Sequence, residues 1–331
     1  MRRRATSGTL LILILAAASW PAGASEPSRE RWERRCQPPS PTRVIWPQGT
    51  ALWGTQPLRR GDPNSSVLSA VDAGGPEGGL YQLRGGRIVP GHGEVVGAVM
   101  RGEASDGSAV EVAICGEEPV ASEPDMAWYR VQIWNAVSQE WENPCASSRA
   151  VPDPRALAVG GTWDRTGAHQ DAPGRITLAC ETGAIAKCVR WGYKPWEAAV
   201  GGPLAPLHQA CTRMARADYC GNGESHTRDG TPIDLYDARG VLARTTRATA
   251  LWQPDRASFE AAWGPDGAVC VARARDDRPL GTIQRECPGR FTEGEVVDLG
   301  GGDRCALRQG AAPVKEALLR NRSYQARREG G

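Results

Sequence analysis

The chain has 331 residues, and its 40 Lys and Arg against 38 Asp and Glu give a formal net charge of +2. That near balance leaves no basic stripe of the kind that engages a phosphate backbone, so no nucleic-acid partner is expected. Ten cysteines point to an oxidising compartment, and 12 tryptophans against two phenylalanines place the large apolar volume in indoles, aliphatics and cystines.

Residues 1–24 carry the three parts of a secretory signal: Arg2, Arg3 and Arg4, an apolar run from Leu10 to Ala18, and Ala22-Gly23-Ala24 ahead of Ser25. A secreted or periplasmic location follows as the expectation, with a mature chain of about −1 net charge starting at Ser25. No later segment reaches the roughly 20 consecutive apolar residues of a membrane-spanning helix. Lysine occurs only at Lys187, Lys194 and Lys315, an arginine bias that suggests GC-rich, bacterial coding.

Residues 25–43 are charged and then proline-rich through Gln37-Pro38-Pro39-Ser40-Pro41, a linker pattern with Cys36 as its staple. Residues 44–150 are expected to form a β-rich domain. Val95–Met100 and Val110–Cys115 flank the turn Ala104-Ser105-Asp106-Gly107, and Trp128–Trp134 alternates, with Tyr129, Val131 and Ile133 on one face. The glycines of Gly74–Gly79 lack the strand and helix flanks of a phosphate loop, and no cofactor is expected.

A second domain is expected over residues 151–314, with strands at 156–161 and 176–180 and with Gly192 and Pro195 stopping any long helix over 181–196. The clearest helix runs from Leu204 to Tyr219. Leu204, Leu207, Cys211, Met214 and Asp218 share a face, Gln209, Arg213 and Arg216 point away, and Gly221 and Gly223 end it. Beyond Asp237 the pattern predicts β structure over Arg244–Trp252, a helical turn near Ala257–Trp263 and a strand over Ala268–Ala274. Residues 315–331 are charged and lack large apolar spacing, which predicts a disordered basic tail. The fold class is α+β: a β-rich N-terminal domain plus a disulfide-stabilised mixed domain built around one helix.

Chemically capable side chains are densest between Leu207 and Asp237, where His208, Asp218, Cys220, His226, Asp229 and Asp234 form the candidate functional cluster. His208, Cys211, Cys220 and His226 are ligand types that a tetrahedral zinc site accepts. Asp218, Asn222, Gly223 and Asp229 fall at positions 1, 5, 6 and 12 of a calcium loop, which departs at position 3 (Cys220) and at 12, where Asp replaces Glu. Cys220 with His226 or His208, oriented by a carboxylate, is the thiol-nucleophile arrangement. Against these stand structural roles, and no bound metal is expected. Cys36, Cys115, Cys145, Cys180, Cys188, Cys211, Cys220, Cys270, Cys287 and Cys305 are all expected in disulfides. A Cys211–Cys220 bond is not expected, because a helix through Tyr219 separates them by about 13 Å against a reach of about 7 Å. Asp218 faces the negative end of the helix dipole and needs N–H groups of Gly221–Gly223 or an arginine to compensate it. His92 and His169 lie in loops and are expected to be solvated.

Five pieces in order carry a resemblance: Gly161-Thr162-Trp163-Asp164, Lys187–Tyr193, Ala217-Asp218-Tyr219-Cys220, Asp229-Gly230-Thr231-Pro232-Ile233-Asp234, and Gly267-Ala268-Val269-Cys270. Over roughly residues 155–275 the chain resembles the ADYC domain family, exported and mostly myxobacterial proteins named after the third piece. The family has no established activity, so the resemblance implies export and supplies no catalytic residues. The reading is an exported disulfide-rich binding or structural protein of unknown ligand. The alternative is a metal- or thiol-dependent hydrolase using residues 208–237.

Overall fold

The structure, a computed structural model, describes residues 31–37, 67–72, 81–288, 296–298, 304–307 and 317–324, apart from 32, 92, 93, 104–108, 137, 146, 148–150, 165, 228, 229 and 238. The signal segment, most of the linker, Gly74–Gly79 and His92 therefore lie outside the described residues.

The first half of the chain is strands: β1 (Val67–Asp72), the hairpin β2 (Tyr81–Arg84) and β3 (Arg87–Pro90), β4 (Val99–Glu103), β5 (Ala109–Val120), β6 (Glu123–Asn135), β7 (Glu140–Glu142), β8 (Ala156–Gly160), β9 (Thr162–Trp163), β10 (His169–Gln170) and β11 (Arg175–Cys180). Seven of them form one antiparallel sheet in the order β1-β11-β8-β6-β5-β4, with β7 paired to β6. β1 also runs beside β4, so the sheet curls until its two edges approach each other.

A period of two sorts its side chains. Tyr129, Val131 and Ile133 of β6 turn inward with Val112, Ile114, Ala156, Ala158, Ile176 and Leu178. The intervening Trp128, Leu157, Val159 and Ala179 turn outward, onto Ile185, Ala186 and Val189. Those last three belong to α1 (Ala184–Arg190), a short helix followed by Gly192 at φ +92.

A two-strand ribbon, β12 (Ala198–Ala199) with β13 (Gly202–Pro203), leads into α2 (Ala205–Arg216), which has Pro206 in its first turn, where no N–H partner is lost. The second sheet follows: β14 (Ile233–Asp237), β15 (Ala257–Gly264), β16 (Gly267–Val271), then α3 (Leu280–Glu286), β17 (Val296–Asp298), β18 (Arg304–Leu307) and β19 (Leu319–Tyr324), in the order β14-β19-β15-β16-β18-β17. Leu207, Ala210, Cys211 and Met214 of α2 bury themselves against Trp263, Val271 and Leu319 of this sheet. Disulfides join Cys36 to Cys115, Cys145 to Cys180, Cys188 to Cys211 and Cys220 to Cys287, and Cys270 is also disulfide-bonded. Strands and sheets dominate, with three labelled helices, so the protein is a β-rich α+β fold.

Several expectations need correction. Ala257–Trp263 is not a helical turn but most of strand β15, hydrogen-bonded to β16 on one side and β19 on the other. Arg244–Trp252 forms no strand; Asp234 captures the N–H of Thr245 and holds the segment as bends. The supposed disordered tail contains β19, a central strand whose buried Asn321, Arg322 and Ser323 are polar and therefore carry no apolar signature. α2 stops at Arg216, and Gln209 and Arg213 are buried beneath the Thr162–Thr166 region instead of pointing to water. The first sheet draws described strands from both sides of residue 150.

Candidate functional site

Each residue of the run after α2 has a separate job. Ala217 adopts φ 54 and ψ 40, a left-handed C-cap whose N–H closes on the carbonyls of Arg213 and Met214. The turn throws Asp218 back under the helix end. There its Oδ1 accepts N–H bonds from Gly221 (2.9 Å) and Asn222 (3.2 Å), and its Oδ2 accepts one from Gly223 (3.1 Å) and one from the Arg213 guanidinium (2.6 Å). Asp218 is fully buried and Arg213 nearly so, with further guanidinium bonds to the carbonyls of Pro265 and Thr166. The carboxylate in an unfavourable dipole position thus has both compensations that its place demands.

Tyr219 is sandwiched between His226, with centroids 6.0 Å apart, and Trp263 at 5.3 Å. Its hydroxyl donates to Glu260 Oε1 (3.1 Å) and accepts the N–H of Arg275 (2.7 Å). Glu260, in β15, also binds the Arg275 guanidinium through Nε (3.0 Å) and Nη2 (2.9 Å) and accepts from the Ser323 hydroxyl. Arg275 in turn caps the last carbonyls of α2, Met214 (2.8 Å) and Ala215 (3.1 Å), where a cation suits the dipole. Burial opposes the Arg275 charge, but the Glu260 carboxylate outweighs it and holds the guanidinium above its ordinary pKa. Burial, reinforced by Glu260, pushes the Tyr219 phenol well up, so it stays a neutral donor. Cys220 then ties the run covalently to Cys287, at the end of α3.

Gly221 and Gly267 make this crossing possible. Both have positive φ, and a Cβ on Gly221 would lie 1.9 Å from the Asp266 carbonyl oxygen. Backbone passes over backbone here, with the Ala268 N–H on the Tyr219 carbonyl (3.0 Å).

The six candidate residues do not converge. His208 points the other way, its Nε2 on the Ile185 carbonyl (3.1 Å) beside Trp163, and burial lowers its pKa to about 4. Asp234 pairs with the Arg322 guanidinium (2.6 Å) across β14 and β19. Asp229 lies outside the described residues. Disulfides remove the thiolates from the zinc and thiol readings, because Cys211 and Cys220 are bonded to Cys188 and Cys287. They are not bonded to each other, as expected, although the continuous helix through Tyr219 on which that expectation rested ends at Arg216. The calcium reading loses its first ligand, since Asp218 is turned inward. His169 is not simply solvated: it lies against Trp163 (4.6 Å) with its Nε2 on the Gly160 carbonyl (3.0 Å). His226 alone stays beside other ligand-type groups, with its Nε2 3.7 Å from Glu286 Oε2.

Glu260, Arg275 and Arg213 were not singled out in the sequence. The signal for the first was present: a lone carboxylate within Phe259-Glu260-Ala261-Ala262-Trp263 is affordable in a buried strand only with a paired charge. Two open grooves of about 710 and 690 Å³ lie elsewhere, one along β3 with Arg87, Glu94 and Glu117, the other between Tyr81, His169 and Trp196. None of the described residues of the candidate cluster lines either groove.

The model of the ADYC domain matches residues 92–277, more than half of the chain. The match begins well before residue 155 and so takes in the strands from β4 onward, which no motif had reached. No curated protein and no solved structure matches.

Proposed function

The chain belongs to the ADYC domain family, and from that premise we propose that it is an exported, disulfide-rich binding or structural protein in which the Ala217–Cys220 run is a fold hub rather than a catalytic centre. One observation carries the reading: the Asp218 carboxylate, the most reactive-looking group of the run, is fully buried and spends both oxygens on three loop N–H groups and Arg213. A general acid or base must reach substrate. The thiol form of the hydrolase alternative has no thiolate to use. Binding would fall to the open grooves, where the described charged and aromatic side chains are accessible. Paired disulfides and the lack, among the described residues, of a helix able to cross a membrane fit a secreted or periplasmic setting.

Asp218→Asn tests the hub. Either amide orientation turns an NH₂ toward at least two of the four donors, and each buried donor left without a partner costs about 1–3 kcal/mol. A loss of about 3–5 kcal/mol in non-reducing denaturant unfolding is expected. A catalytic carboxylate gives the opposite result, a variant as stable as the parent or more so, because active-site groups are held at a cost to stability.

A further inference from the structure

We propose that Glu224, His226 and Glu286 form a binding site for a divalent transition-metal ion of the zinc class. One ligand atom from each, an imidazole nitrogen and two carboxylate oxygens, lies within 4.8 Å of the others. Zinc takes nitrogen at about 2.0–2.1 Å and carboxylate oxygen at about 2.0–2.2 Å, so tetrahedral ligand atoms stand roughly 3.4 Å apart. The 3.7 Å between His226 Nε2 and Glu286 Oε2 is too long for a hydrogen bond and close to that separation.

The second observation is His226 itself. It is 8% exposed, and among the described residues its ring, aimed at the two carboxylates, makes only that long contact and a stack on Tyr219. A buried imidazole ordinarily hydrogen-bonds through a ring nitrogen. This one has no hydrogen-bonded side-chain or backbone partner for its ring among the described residues.

The frame around it is rigid. The His226 N–H is fixed on the Arg216 carbonyl (2.9 Å) at the end of α2, the Ser225 hydroxyl on the same oxygen (3.0 Å), and the Glu224 N–H on Asn222 Oδ1 (3.0 Å). Glu286 immediately precedes Cys287, so the Cys220–Cys287 disulfide locks the two ligand-bearing segments together. Arg278 holds Glu286 by Oε1 (2.8 Å), which leaves Oε2 turned to His226. Three protein ligands leave one position for water, and imidazole with carboxylates selects the zinc class over calcium. This set shares only His226 with the zinc spacing visible in the sequence, and the inference does not depend on the hub reading.

The test uses the untagged full chain, stripped with a chelator, dialysed and titrated with Co²⁺ and then Zn²⁺. One equivalent of Co²⁺ should give visible d–d absorption that Zn²⁺ displaces. Glu224→Gln, a change at an exposed side chain, should weaken binding at least tenfold, and His226→Ala should abolish it. If His226→Ala does not fold, Glu224→Gln decides alone. Absence of binding, or affinity within threefold of the parent in a folded variant, overturns the assignment.

Discussion

Gly221→Ala isolates the cost of the backbone crossing beneath the Ala217–Cys220 run. Gly221 has φ +70, and an alanine in the left-handed region costs about 1–2 kcal/mol. The added Cβ would stand 1.9 Å from the Asp266 carbonyl oxygen, more than an ångström inside the roughly 3.3–3.6 Å of a normal C···O contact. Backbone cannot rotate away as a side chain would, so the two loops must part. Parting them forfeits the Ala268 N–H bond to Tyr219 and loosens the Gly221 N–H on Asp218, at about 1–3 kcal/mol for a buried donor left open. The total is about 2–5 kcal/mol. Gly174→Ala is the control, because Gly174 has φ +77 but nothing within 4 Å of its Cβ position, so only the conformational cost of about 1–2 kcal/mol applies. At about 2–4 °C per kcal/mol for a chain of this size, circular dichroism melts under non-reducing conditions should separate the two variants by about 2–12 °C. Melting points within about 2 °C of each other would refute the crossing as a source of stability.

Glu260→Gln leaves the fully buried Arg275 without its charge partner and should cost about 3–5 kcal/mol in urea unfolding; a loss below about 1 kcal/mol would show that the α2 carbonyls alone satisfy the guanidinium. His208 predicts an acid limb. Its folded pKa of about 4 lies below the ordinary 6.5, so both states are neutral above pH 6.5 and the unfolded state takes up the proton first as pH falls. Stability should therefore decline from about pH 6.5 and level off near pH 4, by roughly 3 kcal/mol from this group. His226, also lowered by burial, contributes with the same sign. In His208→Gln the decline between pH 6.5 and 5 should shrink, and an unchanged slope would assign it to other groups.

Elements whose burial follows apolar spacing were legible from residue types alone. Tyr129, Val131 and Ile133 face one core as their alternation predicts, and α2 carries Leu207, Cys211 and Met214 inward as its spacing predicts. What escaped was burial by satisfied polarity. Gln209 is buried because Trp163 donates its indole N–H to it (3.1 Å), and Asn321 because Trp263 does the same (2.7 Å). A side chain that is polar in sequence and paired in space looks like surface until its partner is known. The need for compensation at Asp218 was readable from the helix dipole, because that argument is local. The pairing of Cys220 with Cys287 was not, since it depends on where α3 lands. Glu286, arriving with α3, escaped the candidate cluster for the same reason.

Strand β19 lies between β14 and β15, yet it is the last strand described in the chain. Arg322 meets Asp234 across 88 residues of sequence. A chain that emerges in order from its N-terminal side has β14 and β15 available long before the strand that must separate them. Until residues 319–324 arrive, the two have open hydrogen-bonding edges, Asp234 lacks its cation, and Trp263 lacks the acceptor for its indole. Folding of the second sheet is thus a late event that waits for residues 319–324, with long-range pairing as the slow step.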